Sequence, residues 1–296
     1  VSLKTHFVQP LEAVVVWLLW HGLRWIPVDI SSAVLGRLAA WLGPKLPVTR
    51  RARNNIGAAF PQMSENEREA TLREMWENLG RTVAEHPHLD RLRIFGPEAD
   101  GRIEVVGSEN LDLMRDDSRE GLFFSGHLAN WEVISIVAAQ RGIVIDVVYR
   151  AANNPHMDWL YQKGRAPIGG QLIPKGPKGA RILLKALRDG RHVGMLVDQK
   201  MNDGIAVPFF GRDAMTAPAL AELALKYNCP VIPSRTERIG GARFRCTFFP
   251  PMEINHTGNR SADVAEFMTR VNALLESWIR ERPGQWLWLH NRWPKN

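Results

Sequence analysis

"GLFFSGHLANWEV", Gly121 to Val133, is the stretch on which the fold of this chain turns. Leu122 to Phe124 is an unbroken apolar run, and Ser125-Gly126 ends it. A short apolar run closed by turn residues reads as a strand buried on both faces, the kind found in parallel sheets. His127 follows at once, and helix signals take over from about Leu128 to Gln140. Strand, polar turn and helix together make the repeating unit of an α/β sheet.

The same unit recurs on both sides. "GIVIDVVYR" (Gly142–Arg150) and "HVGMLVD" (His192–Asp198) read as strands. Between them Lys178 to Arg188 is helical, with Gly190 as its stop. Upstream, "RIEVVG" (Arg102–Gly107) is another strand. Downstream, Thr216 is expected to cap a helix running to Tyr227, followed by strands in "PVIPSRTERI" and "ARFRCTFFPP" and a terminal helix from Ala262 to Glu281. The first hundred residues are helical instead. Ser31 to Leu42 stops at Gly43-Pro44. Ser64 and Glu67 form a capping box that opens a helix with Leu72, Met75, Trp76, Leu79 and Val83 on one face, and Pro87 closes it. The expected fold is therefore α/β, a largely parallel central sheet flanked by helices, with a helical N-terminal membrane-associating segment. The expected division is a membrane-anchoring or interfacial helix in residues 1–30 and one α/β domain in residues 31–296.

That N-terminal segment centres on "AVVVWLLW", Ala13 to Trp20. A spanning helix needs ~20 mostly apolar residues, and the window Phe7 to Ile26 contains Gln9, Pro10, Glu12, His21 and Arg24. Trp17, Trp20 and Trp25, flanked by Lys4 and Arg24, suit a helix lying in or shallowly entering a bilayer surface. No small-residue cleavage site follows the apolar run, so it does not read as a signal peptide. A core helix of a soluble protein is the other reading.

Composition is that of a globular chain of 296 residues, 45% hydrophobic and 23% charged, with no low-complexity tract or repeat. Cys229 and Cys246 lack metal or redox spacing and are expected to be reduced, buried thiols. The net charge is +7, and Lys163 to Arg191 alone holds eight basic residues against one acid. Such a concentrated field points to an anionic partner, with a solvated basic helix face as the plain alternative. No nucleic acid is expected, because no binding motif and no basic-aromatic interleaving accompany the charge.

In open α/β sheets ligands gather beyond the carboxyl ends of the strands. Three predicted strand ends carry polar groups: His127; Arg150 with Asn153 and Asn154 behind it; and Asp198-Gln199. An imidazole accepts a proton near neutral pH, best when a carboxylate fixes its tautomer. Glu132 is the expected carboxylate, folding back from the start of the following helix. The alternative is a satisfied core histidine beside a helix N-terminal charge. No G-x-S-x-G elbow, nearby cysteine or HExxH occurs. What fits is a base acting directly on a substrate hydroxyl, with no covalent intermediate and no metal.

"SGHLANWE" resembles the H-x4-D/E motif of the lysophospholipid acyltransferase superfamily. Further blocks are similar to the lauroyl/myristoyl (late) acyltransferases of lipid A biosynthesis: "RRARNNIGAAFPQMSENER", "VVYRAANNPHMDWLYQKGR", "GARILLKALRDGRHVGMLVDQK", "VPFFGRDAMTAPALAELA" and "GQWLWLHNRWPK", in that order. The resemblance implies a glycerolipid acyltransferase-like fold. It also implies transfer of a fatty acyl chain from acyl-carrier protein to a hydroxyl of a phosphorylated lipid A precursor, at the cytoplasmic face of a bacterial inner membrane. His127 would be the general base and Glu132 its orienting partner. Arg150, Asn154, Arg165, Asp198 and Arg238 would bind substrate. Lys178 adds to them on its own position, opening a helix whose N-terminus suits an anion. Phe209 and Phe210 would line an acyl-chain pocket, with plain core packing as the other reading. No cofactor is implied beyond the donor thioester, of acyl-carrier protein or coenzyme A. The same superfamily also acylates lysophospholipids, aminolipids and glycolipids, which is the alternative. Lys200, in "QKMND", departs from the acidic or neutral residues of many relatives.

Overall fold

The computed structural model describes residues 8–117, 119–150, 152 and 154–293. Its centre is a seven-stranded sheet built from β1 (Ile103–Val106), β2 (Leu122–Ser125), β3 (Ile145–Tyr149), β4 (Leu172–Pro174), β5 (His192–Leu196), β8 (Val231–Gly240) and β9 (Arg243–Phe248). The order is β1-β9-β8-β2-β5-β3-β4, and every neighbouring pair is parallel except β8 with β9. β6 (Lys200–Phe209) and β7 (Arg212–Thr216) form a separate antiparallel hairpin.

β2 lies at the middle, and all four of its residues are buried. Leu122 and Phe124 enter a core shared with α3 (Thr49–Ala59), α4 (Glu65–Glu85), α8 (Pro177–Arg188), α9 (Ala219–Tyr227), α10 (Arg260–Glu281) and the C-terminal tryptophans. Phe123 points the other way, into the core under α5 (Ser108–Asp116) and α6 (Glu132–Gln140). Two buried faces explain why the strand reads as a continuous apolar run rather than an alternating one.

The helical N-terminal third consists of α1 (Gln9–Trp25), α2 (Val28–Leu42), α3 and α4. α4 opens with the expected capping box, Ser64 with Glu67. α2 runs against α4 at close range, because Gly36 and Gly80 face the contact and a Cβ on Gly80 would overlap the Leu35 carbonyl. α1 docks through Trp20, which packs edge-on to His86, and through Arg24, whose guanidinium grips Asp90 and the Pro87 carbonyl. Lys4 and Asn153 lie outside the described residues.

Two local expectations are corrected. The helix after β2 starts at Glu132, not Leu128, because Leu128–Trp131 forms a loop in which Ala129 takes a left-handed φ of 47°. Thr216 does not cap α9. It ends β7, where its hydroxyl donates to Ala214 O and accepts from Arg292 and Asn272. The β6–β7 hairpin leaves no ordinary turn signal in the sequence. It turns at Phe210-Gly211, both at positive φ, where a bulky aromatic stands in place of the Asn or Asp that signals such a turn.

Candidate active site

His127 and Asp198 meet because their strands run side by side. β2 and β5 are paired in parallel with Ser125 opposite Leu196, so each residue stands two positions past the same level of the sheet. Asp198 Oδ1 lies 2.7 Å from His127 Nδ1, and its Oδ2 accepts from the His127 backbone N–H at 2.7 Å. Trp286 Nε1 donates a further bond to Oδ2 at 2.7 Å. Burial pushes the Asp198 carboxyl up, but the charge of His127 and these hydrogen bonds outweigh it and hold the group far below the usual carboxylate range. Asp198 is therefore an anion that accepts from Nδ1–H, which leaves the Nε2 lone pair of His127 facing outward.

That lone pair faces a polar group. The amide nitrogen of Gln199 lies 3.1 Å from His127 Nε2 and 2.9 Å from His290 Nε2, so its two hydrogens span both rings. Lys175 Nζ stands 3.5 Å from the amide oxygen. Burial, then the charge of His127, pushes the His290 imidazole down to about 4, so it accepts as a neutral ring. Trp131 packs edge-on to His127 with centroids 4.9 Å apart.

Glu132 does not fold back onto His127. Its carboxylate receives Arg165 Nε at 2.8 Å and Nη2 at 2.5 Å, and Trp131 Nε1 at 3.1 Å. Burial raises the Glu132 carboxyl, and the charge and hydrogen bonds of Arg165 more than reverse this. The pair is bidentate and buried, so Arg165 holds Glu132 rather than open cleft. Its link to His127 runs through the Trp131 ring.

A clamp holds the intervening loop. The Ala129 N–H donates to Gln285 O, and its carbonyl accepts from Asn78 Nδ2 and Thr82 Oγ1 of α4. The Asn130 amide donates to Glu85 Oε2. Leu287 N–H donates to His127 O, which ties the C-terminal segment to the loop. Arg238 belongs to this frame. Its guanidinium is buried on Glu85, Asn78 and Gly241 O, so it braces α4 against β8 instead of meeting a substrate.

The other expected residues scatter. Asn154 caps the turn Pro155–Met157 and donates to Gln9 O and Glu12 of α1, which makes it a tie to the N-terminal helix. Arg150 is exposed just past β3, and Lys178 is exposed in the first turn of α8. Phe209 and Phe210 are buried among Trp286, Trp288, Trp293 and Phe60, filling an aromatic core rather than lining a channel. Cys229 and Cys246 are free, buried thiols, each pushed up to about 12 mainly by burial. Among the described residues no cluster of three His, Cys, Asp or Glu side chains is arranged to hold a metal ion.

A largely parallel α/β sheet with a histidine–carboxylate pair at its central strand ends defines an α/β protein equipped for general-base chemistry. The chain belongs to the bacterial lipid A biosynthesis acyltransferase family, whose profile matches residues 2–295. It is similar to a lipid A biosynthesis acyltransferase of Haemophilus influenzae, at 23% identity over 98% of this chain and 91% of that protein. The lipid A biosynthesis myristoyltransferase of Escherichia coli is 28% identical over 88% of this chain and 79% of its own. The lauroyltransferase of the same organism is 28% identical over 93% and 91%. The protein is an acyltransferase of lipid A biosynthesis.

Proposed function

We propose that the protein transfers a fatty acyl chain from the thioester of acyl-carrier protein to a hydroxyl of a lipid A precursor, with His127 as general base. The observation that supports this reading is the His127–Asp198 contact of 2.7 Å, with the opposite ring nitrogen turned toward the Gln199 amide. His127 Nε2 takes the hydroxyl proton as the oxygen attacks the thioester carbonyl. The C–S bond then breaks, and the departing thiolate takes the proton back from Nε2. Asp198 stabilises the imidazolium between these steps, and no bond to the enzyme forms. The Gln199 amide lies 3.1 Å from His127 Nε2, so an acceptor hydroxyl reaches the base by displacing it.

Exposed Lys163, Lys175, Lys178, Arg181, Lys185 and Arg188 give an acidic carrier protein and a phosphorylated acceptor a common positive surface. Location at the cytoplasmic face of the inner membrane follows from the same reading. α1 is 17 residues long, and among the described residues no helix is long and apolar enough to cross a membrane. Leu11, Val14, Val15, Leu18 and Leu19 of α1 are exposed nonetheless, as are Ile30, Val34, Leu38 and Trp41 of α2. Both helices therefore suit a bilayer surface.

The test is acyl transfer by purified protein in detergent, using acyl-carrier protein and a lipid A precursor. His127→Ala is expected to abolish transfer while the far-ultraviolet circular dichroism is unchanged. Full activity in that variant overturns the catalytic proposal. Transfer only from acyl-coenzyme A, or only to a lysophospholipid, moves the protein to the alternative donor or acceptor.

A further inference from the structure

Arg292, near the C-terminus, lies wholly inside the protein, at 0% exposure. Its guanidinium bonds only neutral acceptors. Nη1 donates to Met215 O at 3.1 Å, and Nη2 donates to Thr216 Oγ1 at 2.9 Å and to Asn272 Oδ1 at 3.2 Å. Among the described residues it forms no ion pair, whereas the other two buried arginines, Arg235 and Arg238, each hold a glutamate. A buried charge is expensive unless an opposite charge answers it.

The charge that answers it is Asp198. That carboxylate is buried too and touches no lysine or arginine among the described residues; its contacts are His127 and Trp286. Two routes join it to Arg292. Along the hairpin, Thr216 pairs with Lys200, two positions beyond Asp198. Through the side chains, the guanidinium lies over the Phe209 ring at 4.7 Å, and Phe209 meets Trp286 edge-on at 5.8 Å. Trp286 Nε1 then donates to Asp198 Oδ2. Both rings are buried, so the field between the two charges is weakly screened. Burial pushes the Arg292 guanidinium down to about 10 and the Asp198 charge acts against it, so it stays protonated at neutral pH.

We propose that Arg292 is a positioning residue of the acyl transfer: its fixed charge offsets the Asp198 anion from behind Phe209 and Trp286, and so limits how strongly that anion stabilises a protonated His127. This role rests on His127 being the general base. An unanswered Asp198 favours the imidazolium over the neutral ring that must accept the hydroxyl proton. It also holds back the proton that the departing thiolate takes. With Arg292 in place the ring both takes the proton and returns it.

Other charges face this block. His290, Lys175 and Arg51 stand around the His127 side, with Glu132 and Arg165 neutralising each other. Lys200 lies opposite Thr216, Arg212 lies over Trp293, and Arg280, paired with Glu276, lies over Phe210. All of them remain when Arg292 alone is changed, so a change in pH dependence belongs to Arg292.

The experiment measures kcat/KM against pH for Arg292→Met in detergent, with acyl-carrier protein as donor and a lipid A precursor as acceptor. The low-pH limb should move up by at least ~0.5 pH unit, because nothing now opposes the imidazolium. Thr216→Val removes an acceptor of the guanidinium and leaves its charge, so it should lower the thermal midpoint with the limb in place. Chemical denaturation gives a second readout that needs no turnover. Asp198→Asn with Arg292→Met carries neither charge, and should lose less stability than the two single variants together. If Arg292→Met does not fold alone, the double variant is still expected to fold. An unmoved limb in Arg292→Met, an equal movement in Thr216→Val, additive losses of stability, or a double variant that does not fold each overturns the proposal. Full activity in His127→Ala instead removes the base itself, which the denaturation cycle does not depend on, so the two failures are told apart.

Discussion

His127 Nδ1 lies 2.7 Å from Asp198 Oδ1, although 71 residues separate them in the chain. The contact is made by register: parallel β2 and β5 end level, and each residue stands two positions beyond. Asp198→Asn keeps the shape but loses the anion that fixes the tautomer and stabilises the imidazolium. The expected result is a fall in kcat of about 10²–10⁴-fold with KM little changed. Steady-state kinetics on the purified variant checks it, and activity within threefold of the parent protein would remove Asp198 from the mechanism.

Glu132 is expected to behave differently, because its carboxylate is committed to Arg165. Arg165→Met leaves a buried carboxylate without its cation, which costs about 3–5 kcal/mol of stability. Replacing both residues, Glu132→Gln with Arg165→Met, should restore much of that loss. Chemical denaturation of the two single variants and the double variant measures the coupling. If Glu132→Gln instead abolishes turnover at unchanged stability, the carboxylate takes part in the chemistry directly.

These two carboxylates mark where the sequence was legible. The strand-to-histidine turn, the parallel sheet, the capping box and the terminal helix all follow from local pattern, and local pattern is what periodicity records. The partner of His127 depends on strand order, which periodicity does not contain. A signal did exist: "LFFSGH" and "GMLVD" place His127 and Asp198 at equivalent offsets past two apolar strands. Nearness in sequence favours Glu132, but the first helical turn directs it toward Arg165. The pairing of Gln199 with His290 is invisible to local pattern for a similar reason, since the C-terminal segment must fold back to bring them within 2.9 Å. The family resemblance alone points Arg238 at substrate, and only the three-dimensional fold reveals Glu85 opposite it.

Ala129 supplies a test of the loop clamp. Its φ of 47° is uncommon for a residue with a Cβ. Two side chains of α4 and the Gln285 carbonyl hold it there. Asn78→Ala combined with Thr82→Ala leaves the Ala129 carbonyl without either side-chain donor, at a cost of about 1–3 kcal/mol. Adding Ala129→Gly should offset part of the loss in kcat, because glycine adopts the left-handed conformation unaided. A rescue of activity larger than the rescue of thermal midpoint identifies the clamp as a positioning device. Equal rescue of both makes it purely structural.

Stability should fall as the solution is acidified, well before the carboxylates titrate. His290 is held down to about 4, whereas an unfolded imidazole protonates near roughly 6.5. Between those values the unfolded chain binds the extra proton, so stability rises with pH. The contribution is complete above about pH 6.5 and is lost as pH falls toward 4. Burial lowers His86, His88 and His192 in the same sense. Asp198, a depressed carboxyl, adds a loss only below about pH 4, where an unfolded carboxyl protonates. Thermal midpoints from pH 7 to pH 4.5 should therefore decline, and His290→Asn should flatten part of the slope. A slope unaffected by that substitution means His290 is solvated.

The bilayer reading can be tested on α2 alone, without touching the N-terminus. Ile30, Val34, Leu38 and Trp41 recur every three or four residues, which puts them on one helix face, and each is about half exposed or more. The opposite face is packed on α4, so the row has no partner within the described fold. Lys45 lies 4.0 Å from the Trp41 ring, an arrangement suited to the headgroup boundary. Val34→Glu with Trp41→Glu places two charges on this face at positions that already tolerate solvent. Folding should therefore be unchanged, while partition into vesicles containing anionic lipid falls about 10²–10³-fold. Sedimentation with such vesicles measures it. If only removal of Val1 to Ile26 releases the protein, α1 holds the membrane by itself and the α2 row has another purpose.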